Sequence, residues 1–258
     1  MFDVAQCVDL HCHCLAGFDD GPATMGEAIE LCRALAADGC TMAIATPHQL
    51  GRYDGRSRPA AIRAAVTELN LALQDEGLPL HVQPGAEVRL DERIAELIGR
   101  DEVMTLADGG KYVLLELPSH VPVAIELLVA ELAAAGVRVI VTHPERCGPL
   151  IANPCRVESL LEAGALLQIT AASLMGGFGR TASQAAWSWL ARGYIAIVAS
   201  DAHDVQQRRP AMSQALAVVS SRLGLALARQ LCLVNPLRVV EGADVTCTLP
   251  ESNLSEVG

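Results

Sequence analysis

The sequence predicts an α/β protein built on a parallel sheet, and two observations carry that prediction. Short, β-branched apolar runs alternate with helical patterns along the chain. The runs are continuously apolar, as strands are when both of their faces are covered. Seven such runs with helices between them fit a sheet that is either doubly wound or closed as a barrel. No period of 20–50 residues recurs, which excludes a solenoid.

The elements follow in order. "CVDLH" at 7–11 is the first strand. Thr24 then opens a helix, with Glu27 three residues on as a capping box. Ile29, Cys32 and Leu35 (or Ala36) recur at helical spacing, and Gly39 ends the helix. "TMAIAT" at 41–46 is the second strand. Pro59 starts the next helix, with Ile62, Val66, Leu69 and Leu73 on one face and Gly77 beyond its end. "LHVQPGAEV" (80–88), "YVLLEL" (112–117), "VRVIVTH" (137–143), "LLQITA" (166–171) and "IAIVASD" (195–201) complete the strands. Helical patterns lie between them, as in "VPVAIELLVAELAAAG" at 121–136 and "TASQAAWSWLARG" at 181–193. No Pro/Gly/Ser-rich linker divides the chain, so residues 1–258 are expected to form one domain, with a loose polar tail from about 243.

Composition narrows the function classes. Hydrophobic residues make up 51%, mean hydropathy is +0.31 and charged residues are 19%, so a large core is expected and little disorder. A net charge of −11 argues against a nucleic-acid surface, which needs clustered Lys and Arg. The most apolar stretch carries Glu126, Glu131 and Arg138, so no membrane insertion is expected. The first residues hold an acid and no basic region, unlike a secretory signal. Nine cysteines without paired C-x-x-C spacing suggest reduced thiols and a cytoplasmic protein. No G-x-G-x-x-G follows the first strand and there is no Walker A motif, which lowers a nucleotide-binding reading.

Metal-capable side chains stand at the strand ends. His11 and His13 close the first strand, His48 the second, Glu87 the third, Glu116 the fourth, His143 the fifth, and Asp201 with His203 the seventh. Only "LLQIT" ends without one. In parallel α/β folds the functional face lies at the carboxyl ends of the strands, so residues scattered in sequence converge there. A lone His after a strand is usually a cap; the joint pattern points to metal. Alternation in a strand turns His11 and His13 one way and Cys12 and Cys14 the other. Imidazole and carboxylate donors suit manganese, zinc or iron in a catalytic role, whereas a thiolate set would suggest structural zinc.

The segments "DLHCHCLAGFDDGP", "ATPHQLGRYDG", "PGAEVRL", "VIVTHPER" and "IVASDAHDVQQRRP" occur in series over nearly the whole chain. The sequence here resembles the PHP superfamily, and more closely the bacterial protein-tyrosine phosphatases of the capsule and exopolysaccharide type, the CpsB/YwqE kind. The resemblance implies a distorted (β/α)7 barrel holding three divalent cations, manganese first among the candidates. It implies that His11, His13, Glu87 and Asp201 hold one cation, that Glu87, Glu116 and His143 hold a second with Glu87 bridging, and that Asp20, His48 and His203 hold the third. The acid directly before Gly-Pro is the family's ligand, which favours Asp20 over Asp19. Four carboxylates and a bridging hydroxide would then face six positive charges.

The implied reaction is hydrolysis of phosphotyrosine, on a bacterial tyrosine kinase as partner, by a metal-bridging hydroxide and without a phosphoenzyme. Arg146 in "HPER" and Arg208 in "QQRRP" match positions that aid phosphate binding, a task the guanidinium fork suits. Arg209 is a rival to Arg208. Glu145 is a candidate support for the ligands, and His81 and His120 are expected to be solvated or capping residues. Alternatives are a phosphatase of a small ester such as histidinol phosphate, or a non-enzymatic binding module. The chain also contains a C-x5-R match, Cys232 to Arg238. Its bulky aliphatics and Pro236, which lacks an N–H, make a poor phosphate cradle, and it reads better as a helix end.

Overall fold

The computed structural model describes residues 7–247. Its nine described strands form two parallel sheets. One has three strands, β1 (Cys7–Cys12), β2 (Cys40–Ala45) and β4 (His81–Pro84), in the order β1-β2-β4. The other has six: β3 (His48–Gln49), β5 (Glu87–Arg89), β6 (Tyr112–Glu116), β7 (Arg138–Thr142), β8 (Leu166–Thr170) and β9 (Ile197–Ala199). These lie in the order β3-β5-β6-β7-β8-β9.

Nine strands arise from seven chain passes because two passes break. The second is interrupted at Thr46-Pro47, where proline cannot donate to a ladder, and resumes as β3 in the other sheet. The third, expected as one strand over 80–88, breaks at Gly85-Ala86 into β4 and β5. Gly85 is needed there: a Cβ would lie 2.5 Å from Ile44 Cγ2. Both passes thus begin in the small sheet and end in the large one, carrying His48 and Glu87 to register as neighbours. On the other side, a parallel bridge joins Cys12 to Ala202 just beyond β9.

Alternation along the strands builds two apolar layers. Val8, Leu10, Ile44, Leu114, Ile140, Leu166 and Ile197, drawn from both sheets, pack into one cluster with Tyr112 and Val239. Residues of the opposite parity, such as Ala43, Val82, Val113, Val139, Leu167 and Val198, pack with the helices in a larger cluster. Covering both faces is what the continuous apolar runs require.

The helices start and stop for local reasons. Helix Met25–Ala37 carries the expected box: Glu27 N donates to Thr24 Oγ1 at 3.3 Å, and the Glu27 carboxylate accepts from Thr24 N at 3.3 Å. Helix Pro59–Asp75 buries Ile62, Val66, Leu69 and Leu73. The helix expected over 121–136 is shorter, Glu126–Ala134. Pro122 disfavours helical backbone in the residue before it, and residues 121–125 are not helical. Residues 243–247, expected to be loose, are tied down. Tyr112 Oη donates to Ala243 O at 2.6 Å, Arg138 Nη1 donates to Val245 O at 2.5 Å, and Val245 is buried. The rest of the expected tail lies outside the described residues. Among the described residues no helix is long and apolar enough to cross a membrane.

Candidate metal centre

The eight side chains singled out at the strand ends meet in space, together with Asp20 from the loop after β1. They fall into four overlapping groups whose ligand atoms lie within 4.8 Å of one another. These are His13, Asp20, His48 and His203; His11, Glu87 and His143; His11, His13 and Asp201; and His48, Glu87 and Glu116. The membership differs in detail from what the family resemblance implies. His13 joins the Asp20 group, and Glu116 stands with His48 and Glu87 rather than with His143.

The backbone explains how neighbouring strands deliver these groups. In β1 a register shift between Asp9 and Cys12 turns His11 toward the side on which Leu10 packs. His13 follows just past the strand end, with its N–H donating to Ala202 O at 2.8 Å. The reciprocal bond, Asp201 N to His11 O at 2.8 Å, fixes Asp201 beside His11. His143 (φ +32°) and Asp201 (φ +53°) both adopt left-handed backbone, which side chains with a Cβ rarely take. Such conformations cost about 1–3 kcal/mol each and cluster at functional sites. Asp9 is buried under this corner and accepts from Ser200 N at 2.9 Å and Ser200 Oγ at 2.5 Å, tying β1 to β9.

Orientation comes from a second layer of hydrogen bonds. His11 Nδ1 contacts Gln168 Oε1 at 2.9 Å, and His13 Nδ1 contacts Asp19 Oδ2 at 2.6 Å. Asp19 also accepts from His48 N and Gly21 N, both at 3.0 Å. Asp20 instead reaches the imidazoles: its Oδ1 lies 3.3 Å from His48 Nε2 and 3.6 Å from His203 Nε2. Glu87 is central and buried. Its Oε1 accepts from Thr142 Oγ1 at 2.8 Å and lies 2.9 Å from His143 Nε2, and its Oε2 lies 3.4 Å from His11 Nε2.

The electrostatics are those of ionised carboxylates among imidazoles. Burial alone would raise the Glu87 carboxyl, but His11, His13 and His143 hold it well below the usual range. Asp201 is held low in the same way, against burial, by His11, His143, Arg208 and Arg146. The neighbouring His203 and His48 imidazoles lower Asp20 strongly. The site therefore gathers full negative charges where solvent is scarce, an arrangement divalent cations relieve. Two further observations fit a cation. Asp201 Oδ1 and His203 Nε2 are buried without a hydrogen-bond partner. The donor set is imidazole and carboxylate, without a thiolate.

Arg146 and Arg208 both donate to Asp201 Oδ2, Arg208 at 2.5 Å, and the Arg146 guanidinium lies 4.2 Å over the Phe178 ring. Arg209 is exposed. Glu145 is buried and accepts from Thr170 N at 2.9 Å and Ser173 Oγ at 2.7 Å, bracing the start of the short helix Ala171–Leu174 that follows β8. His81 and His120 are exposed. Cys12 and Cys14 lie in the outer apolar cluster with Cys32. Cys232 is buried in a π-turn that runs into helix Asn235–Val240, burial pushes its thiol well up, and Arg238 donates to Asp244 O instead. Sequence reasoning missed Gln168 and Phe178. A buried Gln in an otherwise apolar strand is the signal for the first, while Phe178 carries none that sequence alone distinguishes from packing.

Fold and site together define a class: a parallel α/β protein whose strand ends gather imidazoles and carboxylates suited to binding metal. Within it, the chain belongs to the CpsB/CapC family of capsular polysaccharide synthesis, whose pattern matches residues 7–241. It is 37% identical over 222 residues to the tyrosine-protein phosphatase YwqE of Bacillus subtilis (strain 168), covering 85% of this chain and 86% of that one. To the tyrosine-protein phosphatase CpsB of Streptococcus pneumoniae it is 26% identical over 241 residues, 90% of this chain and 98% of that one. Among crystal structures of YwqE and CpsB, described as metal-dependent tyrosine phosphatases, one chain superposes with a TM-score of 0.89. Its identity is 34%, over 94% of this chain and 98% of the other. An organophosphorus hydrolase variant from Deinococcus radiodurans shares the fold alone, at 15% identity and a TM-score of 0.57 over 91% of this chain and 92% of that one.

Proposed function

We propose that this protein is a metal-dependent protein-tyrosine phosphatase, acting on phosphotyrosine in a bacterial tyrosine kinase of the capsule or exopolysaccharide system in the cytoplasm. The observation that carries the chemistry is the convergence of His11, His13, Asp20, His48, Glu87, Glu116, His143, Asp201 and His203 into four overlapping groups, in each of which the ligand atoms lie within 4.8 Å of one another. Similarity to tyrosine-protein phosphatases over most of the chain supports the substrate class. Three divalent cations, manganese by preference, are the proposed occupants. When bound they supply Lewis acidity toward water and phosphoryl oxygen.

The chain's own groups do the rest. Arg146 and Arg208 sit at the rim with guanidiniums partly exposed and aimed at the centre, placed to bind phosphoryl oxygens by charge-assisted forks. Phe178 flattens one side of Arg146 and limits its freedom. Gln168 and Asp19 fix the tautomers of His11 and His13, leaving both Nε2 atoms directed inward. A tyrosyl leaving group has a phenol pKa of ~10, so it departs with less protonation than an alkyl alcohol needs. The converging groups are imidazoles and carboxylates, which supports a metal-activated water rather than a thiol as the nucleophile.

The test is hydrolysis of a phosphotyrosine peptide and of histidinol phosphate, before and after chelation and with manganese restored. The peptide should be the better substrate by kcat/KM, and chelation should abolish its hydrolysis reversibly. Full activity on protein shown to be metal-free rules the reading out.

A further inference from the structure

We propose that Arg52 and Arg89 form an anion subsite beside the metal centre that binds a carboxylate side chain flanking the phosphotyrosine. The proposal rests on the phosphatase reading above and adds a sequence preference to it. Its basis is a cavity of about 360 Å³ lined in part by His48, Arg52, Tyr53, Arg89 and Glu116. The cavity touches the candidate centre directly, since His48 and Glu116 belong to one of its ligand groups. Its lining holds two guanidinium side chains against a single carboxylate residue, Glu116, in a chain whose net charge is −11.

Both arginines are partly exposed and rest against their neighbours. Arg52 lies 4.7 Å over the Tyr53 ring, which itself stacks on His48 with centroids 5.1 Å apart. Arg89 lays its stem across Gly51, where a Cβ would stand 3.2 Å from Arg89 Cγ. The glycine (φ +56°) therefore makes room for the arginine as well as for the turn. Such anchoring lowers the entropy cost of gripping a ligand.

Their present partners are candidate ligands. Arg89 Nη1 donates to Glu116 Oε2 at 2.8 Å, and Arg52 Nη2 reaches Asp20 Oδ2 at 3.4 Å. A carboxylate that binds a cation gives up part of its attraction for a guanidinium, which is then available to an incoming anion. Arg146 and Arg208 converge on a different carboxylate, Asp201, so the two arginine pairs attend different parts of the centre. One pair suits the phosphoryl group and the other a neighbouring acidic residue. A second cavity of about 520 Å³ shares Gln49, Leu50 and Tyr53 with the first and offers a path for the peptide carrying that residue.

The experiment compares phosphotyrosine peptides flanked by Glu, Gln or Lys. Two quantities are read on manganese-loaded protein: kcat/KM, and equilibrium binding of the nonhydrolysable phosphonate analogues. The wild type should favour the Glu peptide over the Gln peptide about tenfold in both, in proportion to one charge-assisted contact. In Arg52→Gln/Arg89→Gln the ratio should fall toward one, and in Arg52→Glu/Arg89→Glu the Lys peptide should become the preferred one. Equal binding and hydrolysis of Glu and Gln peptides by the wild type overturns the subsite and leaves the phosphatase reading standing. A Glu preference that survives in the double variants overturns it equally. Failure to hydrolyse or bind any of the peptides overturns both readings.

Discussion

His11 and His13 bring their Nε2 atoms to 3.1 Å from each other, fully buried, while their Nδ1 atoms turn away to Gln168 and Asp19. Two nitrogens so close, with the outer nitrogen of each ring engaged, form a preorganised pair of donors for a cation. Gln168 stands on β8, the one of the seven chain passes whose end supplies no candidate ligand, so that strand serves the site by orienting another strand's histidine. In Gln168→Leu the His11 ring loses its partner while its packing volume is kept. Manganese affinity should fall about 10–100-fold, measured by titration calorimetry, and Tm in chelator should also drop, because the buried His11 Nδ1 is left without a partner. Unchanged affinity would mean that His11 is fixed by packing alone.

The Cys232 thiol is buried on a helical turn away from the converging ligands, with Arg238 engaged elsewhere. Cys232→Ser should therefore keep most of the phosphatase activity of the folded protein, as should Cys12→Ser and Cys14→Ser. Each places a hydroxyl in an apolar cluster, at a cost of ~1–3 kcal/mol in stability, read as a lower urea midpoint. His143→Ala and Asp201→Asn should abolish activity in folded protein. Loss of activity in Cys232→Ser, with its circular dichroism intact, would restore a cysteine nucleophile.

Much of this was legible in the sequence, and what was not has physical causes. The seven chain passes and their carboxyl-end residues showed because burial on both faces writes continuous apolar runs, and because a polar residue ending such a run stands out. The break of the third pass at Gly85 did not show. It depends on Ile44, forty-one residues away, whose methyl fills the place of the missing Cβ. The late start of helix Glu126–Ala134 could have been read from Pro122 but was masked by a strongly apolar stretch. Asp19 was hard to tell from Asp20 because adjacent carboxylates look alike in sequence; only the turn decides that one faces His13 and the other His48 and His203.

Gly85 gives a direct test of that break. In Gly85→Ala the new methyl would lie 2.5 Å from Ile44 Cγ2 and 3.3 Å from Leu106 Cδ2, closer than packed atoms approach. Overpacking of this kind costs ~1–3 kcal/mol, so Tm should drop by several degrees. Pairing the change with Ile44→Ala, which removes the clashing Cγ2, should make Gly85→Ala cost less in that background than in the wild type. Failure of the pair to couple would place the strain elsewhere.

Asp19 and Asp20 differ in what they touch, and the difference predicts two phenotypes. Asp20 contributes a carboxylate to the group with His13, His48 and His203 and is partly exposed. Asp19 is buried, bonded to His13 and to two backbone N–H groups, and against the cost of burial the His13 imidazole brings its carboxyl down to about 2. Asp20→Asn removes a ligand, so the number of manganese ions bound at saturation should fall by one, counted by plasma mass spectrometry. Asp19→Asn removes an orienting charge, so the same number should bind with affinity reduced about 10–100-fold. It should also lower stability, because the turn over His13 and His48 loses a charged acceptor of three hydrogen bonds. If Asp19→Asn loses an ion and Asp20→Asn does not, the two aspartates exchange roles.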